Sequence, residues 1–193
     1  MTGFQLIVIG ASWGGLNAVT RILAGLPGDF PVPVLVVQHR AEDAGRLLPE
    51  LLDRAGPLPV REVEDKDRLM PGCVLVAPPG YHVLVEGDHL ELSTDALVQF
   101  SRPSIDVALE SAADALGPGV VGVVLTGSNE DGAAGLARVC RRGGTAVVQN
   151  PETAERAAMP AAARDAAHVQ AVTELADIAP LLVRLAGAPE VTR

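Results

Sequence analysis

The amino-acid sequence predicts an α/β fold: a doubly wound, mostly parallel sheet with helices on both faces, and a β-hairpin. First, short apolar runs alternate along the chain with segments of helical periodicity. Second, apolar residues make up 48% of the chain but aromatics only 3%, so the core must consist of aliphatic side chains, as in strands buried on both faces. Third, Gly87 and Asp88 separate two short runs, which is a two-residue hairpin signal.

The first predicted strand, residues 5–10, is a continuous apolar run that ends in glycine. Further strands of the same kind are predicted at 32–38, 60–63, 73–77, 120–126, 145–149 and 168–172. Residues 82–86 and 89–93 are the two strands of the hairpin. Because most of these runs alternate with helices, they should lie parallel in one sheet.

Helices are predicted where apolar residues recur every three or four positions, at 16–26, 46–55, 105–116, 132–142, 151–167 and 175–185. Gly28 lies just past the first helix, where glycine often ends one. Ser104 can cap the third helix. Pro160 is expected to break the fifth helix, and the tail from Gly187 is expected to fray.

The chain has 193 residues, and we expect a single domain over 1–193. Its formal net charge of −9 argues against a nucleic-acid or anionic-membrane partner. No apolar run approaches the roughly 20 residues that span a bilayer. No signal peptide precedes the strand at Gln5, so a cytoplasmic location is expected. Cys73 and Cys140 lack metal or disulfide spacing and are interpreted as small core residues.

Ligands bind beyond the carboxyl ends of parallel strands, so chemistry is expected in the loops after residues 10, 38, 77, 126 and 149. In the first loop, residues 10–15 (GASWGG) fit G-x-S-x-G between a strand and a helix. Ser12 would then lie exposed at a helix N-terminus, whose N–H groups suit a developing oxyanion. Phosphate or dinucleotide binding uses the same geometry, but the expected acidic residue about 20 positions later and a Walker lysine are missing. Ser12 is therefore interpreted as a nucleophile.

His39 follows the second strand and can accept the Ser12 proton and return it to a leaving group. His82, which also follows a strand, is the alternative base. Asp131 lies between a buried strand and a helix, where it can either orient the histidine or cap that helix. Glu130 could also serve as the acid, and the sequence prefers Asp131 only modestly.

Five segments, GASWGG, VVQHR, MPGCVLVAPPGYH, SRPSIDVALES and VVLTGSNEDGAAGL, resemble in this order the catalytic domain of CheB, the chemotaxis protein-glutamate methylesterase. The resemblance implies a Rossmann-like three-layer fold without metal or organic cofactor. It also implies hydrolysis of γ-glutamyl methyl esters on methylated chemotaxis receptors, often with deamidation of receptor glutamines. It assigns the nucleophile to Ser12, the base to His39, the acid to Asp131 and an oxyanion donor to the backbone N–H of Trp13.

Trp13 stands where this family commonly has a small residue, and Ser128 where it usually has Met near the acid loop. Both bear on substrate binding more than on the reaction. The resemblance also places Arg102 near the substrate, although a solvated arginine beside a helix cap is an equal alternative. No receiver domain precedes Gln5, so we expect either a stand-alone relative or a domain regulated by a separate chain.

Two other functions stay open. One is a serine hydrolase that acts on a different protein ester or small ester. The other is a non-enzymatic signalling module that kept the fold, against which the presence of Ser12, His39 and Asp131 together argues.

Overall fold

The computed structural model describes residues 4–43, 45 and 47–187. The strands are β1 (Leu6–Ala11), β2 (Val34–Gln38), β3 (Val60–Glu62), β4 (Val74–Val76), β5 (His82–Glu86), β6 (His89–Ser93), β7 (Val120–Val124), β8 (Thr145–Gln149) and β9 (Ala171–Thr173). The helices are α1 (Gly15–Leu23), α2 (Leu47–Asp53), α3 (Ile105–Leu116), α4 (Ala133–Arg141), α5 (Ala158–Ala166) and α6 (Leu175–Ala186).

The main sheet has seven strands in the order β3-β4-β2-β1-β7-β8-β9. All neighbouring pairs in it are parallel, and β5 and β6 form a separate antiparallel hairpin. β1 lies at the centre, with β2, β3 and β4 on one side of it and β7, β8 and β9 on the other. Ligands bind such sheets at the carboxyl edge where the strand order reverses. The loops after β1, β2 and β7 meet at that point.

Helices cover both faces of the sheet, because successive side chains of a strand point to opposite faces. On one face, Ile7 of β1 packs in a cluster with Ile22 of α1 and Leu182 of α6. On the other face, Leu6 of β1 joins Leu109 of α3, and the hairpin, α4 and α5 contribute to the same cluster. The prediction of a three-layer, doubly wound α/β fold with a β-hairpin is therefore confirmed.

The predicted fifth helix differs most from the structure. Residues 151–157 form turns and bends, and α5 begins only at Ala158. Pro160 lies in the first turn of α5 and does not break it, because an N–H at that position has no partner within the helix. β9 also begins later than predicted, at Ala171. The predicted start of the second helix, Arg46, lies outside the described residues.

Cys73 and Cys140 lie at the edge of the core rather than inside it. Both are half-buried free thiols that pack against the cluster on the α3 side of the sheet. Among the described residues, none of the helices has both the length and the apolar composition needed to cross a membrane.

Candidate active site

Ser12, His39 and Asp131 follow three adjacent strands at the carboxyl edge of the sheet. Ser12 comes directly after β1 and His39 directly after β2, whose last residues, Ala11 and Gln38, are register partners. The His39 N–H donates to the Ala11 carbonyl at 3.0 Å, which continues the strand ladder into the loops. Asp131 lies between α4 and β7, the other neighbour of β1. The sheet thus brings together side chains that are far apart in the chain.

The histidine and the aspartate are hydrogen bonded. His39 Nε2 lies 2.6 Å from Asp131 Oδ2, and the two side chains are 11% and 0% exposed. Because an ionised carboxylate only accepts, Nε2 carries the proton and Nδ1 is left as the acceptor of the ring. The hydrogen bonds among the described residues do not include one between Ser12 Oγ and His39, so that contact stays a prediction.

Asp131 lies at the N-terminus of α3. Its carboxylate accepts hydrogen bonds from Ser104 Oγ at 2.8 Å, the Ile105 N–H at 2.7 Å and the Asp106 N–H at 3.0 Å. Burial alone would raise the pKa of Asp131, but the bonds from His39 and the backbone N–H groups hold that pKa below its ordinary value. The positive end of the helix dipole acts in the same direction. The carboxylate therefore stays ionised beside His39.

The starts of α3 and α4 exchange aspartate caps. Asp131, which precedes α4, accepts from N–H groups at the start of α3, and Asp106 of α3 accepts from N–H groups at the start of α4. Asp106, in the first turn of α3, accepts hydrogen bonds at Oδ1 from the N–H groups of Gly132 at 2.9 Å and Gly135 at 2.7 Å, at the start of α4. The idea that Asp131 caps the helix after it is therefore wrong: it caps α3, and Gly132, at φ 101°, is the N-cap of α4. Burial raises the pKa of Asp106 to about 6, and the nearby charge of Asp131 adds to that rise.

A tight turn between β1 and α1 positions Ser12. Its carbonyl accepts hydrogen bonds from the Gly15 N–H at 2.9 Å and from Gln38 Nε2 at 2.8 Å. Gly14 has φ 78°, and a Cβ on Gly15 would lie 2.0 Å from Gln38 Oε1, so the turn requires both glycines. Within the described part of the chain, the N–H groups of Trp13 and Gly14 have no hydrogen-bond partner. They are available to a substrate oxyanion.

The side chain of Trp13 is held by the loop between β8 and α5. It is 59% exposed. Its Nε1 donates to Glu155 Oε1 at 2.9 Å, and the Arg156 guanidinium lies 5.3 Å from the ring centroid. Sequence reasoning placed this loop at the edge of the site but missed both partners. Nothing in the spacing of the sequence signals a contact between residues 142 positions apart.

A pocket of about 420 Å³ includes His39 in its wall. The other residues that line it are Arg40, Ala41, Glu42, Gly80, Leu97, Phe100, Ser101, Arg102 and Pro103. Arg102 thus lies in the same pocket wall as His39, and its contact with substrate stays a prediction. Ser12 and Ser128 are not part of this wall, and Ser128 is exposed in the loop before α4.

His82 contacts Ser104, whose hydroxyl donates to Asp131, and it has no hydrogen bond to Ser12 among the described residues. It is 1% exposed, its Nδ1 accepts a hydrogen bond from the Ser104 N–H at 3.2 Å, and its Nε2 lies 3.1 Å from the Ala96 carbonyl. Since both ring nitrogens of His82 are engaged and buried, the geometry favours His39 over His82 as the base. No group of three or more His, Cys, Asp or Glu side chains in the described ranges could hold a metal ion.

Fold and site together define a class: doubly wound α/β proteins with a serine, a histidine and an aspartate at the carboxyl edge of the sheet. The model of the CheB methylesterase family matches residues 7–182, so the chain belongs to this family. The resemblance found in the sequence is thereby confirmed. The prediction of a methylesterase-type enzyme is confirmed at the level of the family, because its curated relatives carry that name.

Two relatives and one solved structure illustrate the similarity. The chain is 43% identical over 183 residues to a Leptospira interrogans protein that is provisionally described as a protein-glutamate methylesterase/protein-glutamine glutaminase; the match covers 94% of this chain and 95% of that protein. It is 41% identical to protein-glutamate methylesterase/protein-glutamine glutaminase 1 of Myxococcus xanthus, with 94% of this chain and 54% of that protein covered. The crystal structure of the Thermotoga maritima CheB methylesterase catalytic domain superposes with a TM-score of 0.91 at 30% identity, over 96% of this chain and all of that domain.

Proposed function

We propose that this chain hydrolyses γ-glutamyl methyl esters on methylated receptors of the chemotaxis type. The observation that carries the proposal is the 2.6 Å contact between His39 and Asp131, at the edge of the sheet where Ser12 follows β1. Membership of the CheB methylesterase family supports the ester as substrate. Such receptors are the partner that this substrate implies.

In the first half of the reaction, Ser12 Oγ attacks the ester carbonyl while His39 Nδ1 accepts the hydroxyl proton. The ionised Asp131 stabilises the imidazolium that forms. The Trp13 N–H, which has no partner in the described part of the chain, donates to the tetrahedral oxyanion. His39 then returns the proton to the leaving oxygen, and methanol departs from an acyl-serine.

In the second half, His39 removes a proton from water as the water attacks the acyl-serine, and the γ-carboxylate is released with Ser12 regenerated. A glutamine side chain would pass through the same acyl-serine with ammonia as the leaving group. The names of the Leptospira and Myxococcus relatives, which include glutaminase, support this second reaction.

The proposal is tested by methanol release from a receptor-derived peptide that carries a glutamate γ-methyl ester. We expect Ser12→Ala to lower kcat on the order of 10⁴-fold, and Ser12→Ala combined with His39→Ala to lower it little further, because a triad acts as a unit. Ser93→Ala is the matched control, since Ser93 lies on β6, outside the site.

A fluorophosphonate probe that labels serine nucleophiles separates the alternatives. Labelling of Ser12 without methanol release would point to a hydrolase with another ester substrate. No labelling and no methanol would point to a non-enzymatic module. Near-normal methanol release by Ser12→Ala would contradict the nucleophile itself.

A further inference from the structure

Two arginines line the pocket beside His39. Arg40 directly follows His39, and Arg102 comes from the segment before α3. Their side chains are only 7% and 19% exposed. Buried arginine is rare in proteins unless it is paired, because removing a charge from water is costly.

Both arginines have buried N–H groups without a partner. Arg40 Nη2 donates to Glu62 Oε1 at 2.5 Å and to the Ala77 carbonyl at 2.9 Å, but its Nε and Nη1 are buried and unpartnered. Arg102 Nη1 donates to the carbonyls of Thr94 and Asp95, while its Nε is buried and unpartnered.

These orphaned nitrogens are concentrated at one place. Among the described residues, four buried side-chain polar atoms lack a partner, and three of them belong to Arg40 and Arg102. A buried donor left unsatisfied costs about 1–3 kcal/mol, so such groups normally have a partner. Both of these side chains line the same pocket, so the missing acceptors are concentrated at its wall.

The charge of the pocket selects the kind of ligand. Glu62 pairs with Arg40, but Arg102 has only Glu42, whose carboxylate lies 3.6 Å away and is 78% exposed. An exposed pair of this kind contributes little. The pocket wall itself thus holds two arginines and one carboxylate, Glu42, in a chain whose net charge is −9. Arginine matches the planar geometry of a carboxylate.

We propose that Arg40 and Arg102 form a carboxylate subsite that binds an acidic side chain flanking the esterified glutamate of the substrate. The proposal rests on the proposed function. Because Arg40 is the residue after His39, a carboxylate bound there would belong to a residue close to the esterified glutamate. The ester itself is neutral, so the acceptor must come from a neighbouring residue of the substrate.

The test compares two peptides that carry the same γ-methyl glutamate, one with a flanking Glu and one with Gln at that position. For the unmodified chain we expect kcat/KM for the acidic peptide to be about tenfold higher, mostly through KM, as for one charge-assisted hydrogen bond. Raising the ionic strength should reduce this preference. Equal kcat/KM values for the two peptides would overturn the proposal.

Substitutions then assign the preference to the pocket. Arg102→Gln, and separately Arg40→Met, should bring the ratio of the two kcat/KM values close to one. Glu42→Gln should increase the ratio, because it removes the competing carboxylate. Arg68→Gln is the matched control, since that arginine is 75% exposed and absent from the pocket wall, and it should keep the ratio. A ratio that survives both Arg102→Gln and Arg40→Met would contradict the subsite.

Two further measurements keep this test separate from that of the proposed function. Fluorophosphonate labelling of Ser12 in each variant reports an intact nucleophile without needing a carboxylate, and thermal unfolding followed by circular dichroism reports an intact fold. Methanol release from neither peptide would defeat the proposed function. Equal release from both peptides, with Ser12 labelled, would defeat the subsite alone.

Discussion

At the scale of single residues, Asp131 joins the candidate base to the fold. It accepts hydrogen bonds from His39 and from three groups at the start of α3. In Asp131→Asn an amide oxygen in the place of Oδ1 still accepts from Ser104 and Asp106, but an NH₂ group in the place of Oδ2 loses the Ile105 N–H. This NH₂ group would face His39 Nε2 and would require the ring proton on Nδ1. An imidazole protonated at Nδ1 cannot accept the Ser12 proton.

For Asp131→Asn we therefore expect kcat for ester hydrolysis to fall by roughly 10³–10⁴-fold. Asp131→Asn should lose less free energy of unfolding than Asp131→Ala, because the alanine variant loses all of these hydrogen bonds. Steady-state kinetics and urea unfolding measure the two effects. Activity within tenfold of the unmodified enzyme would argue against Asp131 as the orienting acid.

Asp106 makes stability depend on pH. Burial raises its pKa from 3.8 to about 6, so between these values the folded chain binds a proton that the unfolded chain does not. Its contribution to stability is present in full below the lower value and is lost as the pH rises through about 6. The lowered pKa of Asp131 has its effect only at more acidic pH.

Asp106→Asn should remove this pH dependence, because an amide keeps the Oδ1 acceptor for Gly132 and Gly135 but does not titrate. The free energy of unfolding of the variant, compared with that of the unmodified chain at the same pH, should therefore be more favourable at about pH 7.5 than at about pH 4.5. Urea unfolding at the two pH values gives the comparison. If the variant and the unmodified chain differ in free energy of unfolding by the same amount at both pH values, Asp106 does not titrate in this range.

At the scale of elements, a glycine brings α3 against the central strand. A Cβ on Gly10 of β1 would lie 2.3 Å from Ile105 Cγ2. Ile105 begins α3, and its N–H donates to Asp131. We expect Gly10→Ala to cost about 1–3 kcal/mol of stability by overpacking and to lower kcat by displacing that donor. In Gly28→Ala the new Cβ would make only an ordinary 3.5 Å contact, so chemical denaturation should show little change.

The turn that carries Phe100 is strained. Val98 and Ser101 exchange backbone hydrogen bonds around Gln99 and Phe100, whose φ values are 50° and 61°. The Phe100 side chain is 96% exposed, so it contributes little packing in return for this backbone conformation. We expect Phe100→Gly to stabilise the fold by about 0.5–1 kcal/mol, which raises Tm by a few degrees.

Thermal unfolding of Phe100→Gly and Leu97→Gly provides the comparison. Leu97 is also exposed in this loop but has no positive φ, so glycine should bring no gain there. A fall in Tm for Phe100→Gly would contradict the strain.

At the scale of the whole molecule, the site depends on the central part of one sheet. Ser12 follows the middle strand, and His39 and Asp131 follow its two neighbours. Two clusters, one on each face of the sheet, include residues of all three strands. We expect esterase activity and helical ellipticity to be lost in urea with the same midpoint. Loss of activity well before ellipticity would show that the site loops open independently.

The sequence by itself determined the elements of this protein. The hairpin strands at 82–86 and 89–93 and the strand at 145–149 agree with the structure, because alternation and turn residues act over a few neighbouring positions. The position of Ser12 at the end of β1 follows in the same way from the glycines around it. The fifth helix was misjudged because the effect of Pro160 depends on where the helix begins.

Only the tertiary structure decided which polar groups meet. The sequence left Asp131 and Glu130 open as the acid and His39 and His82 as the base; in the structure Asp131 bonds His39, and His82 is buried behind Ser104. The exchange of caps between α3 and α4, the contact of Trp13 with Glu155 and the orphaned N–H groups of Arg40 and Arg102 carry no local signal in the chain. They join residues from distant segments, so they exist only once strand order and helix packing have set the distances between those segments.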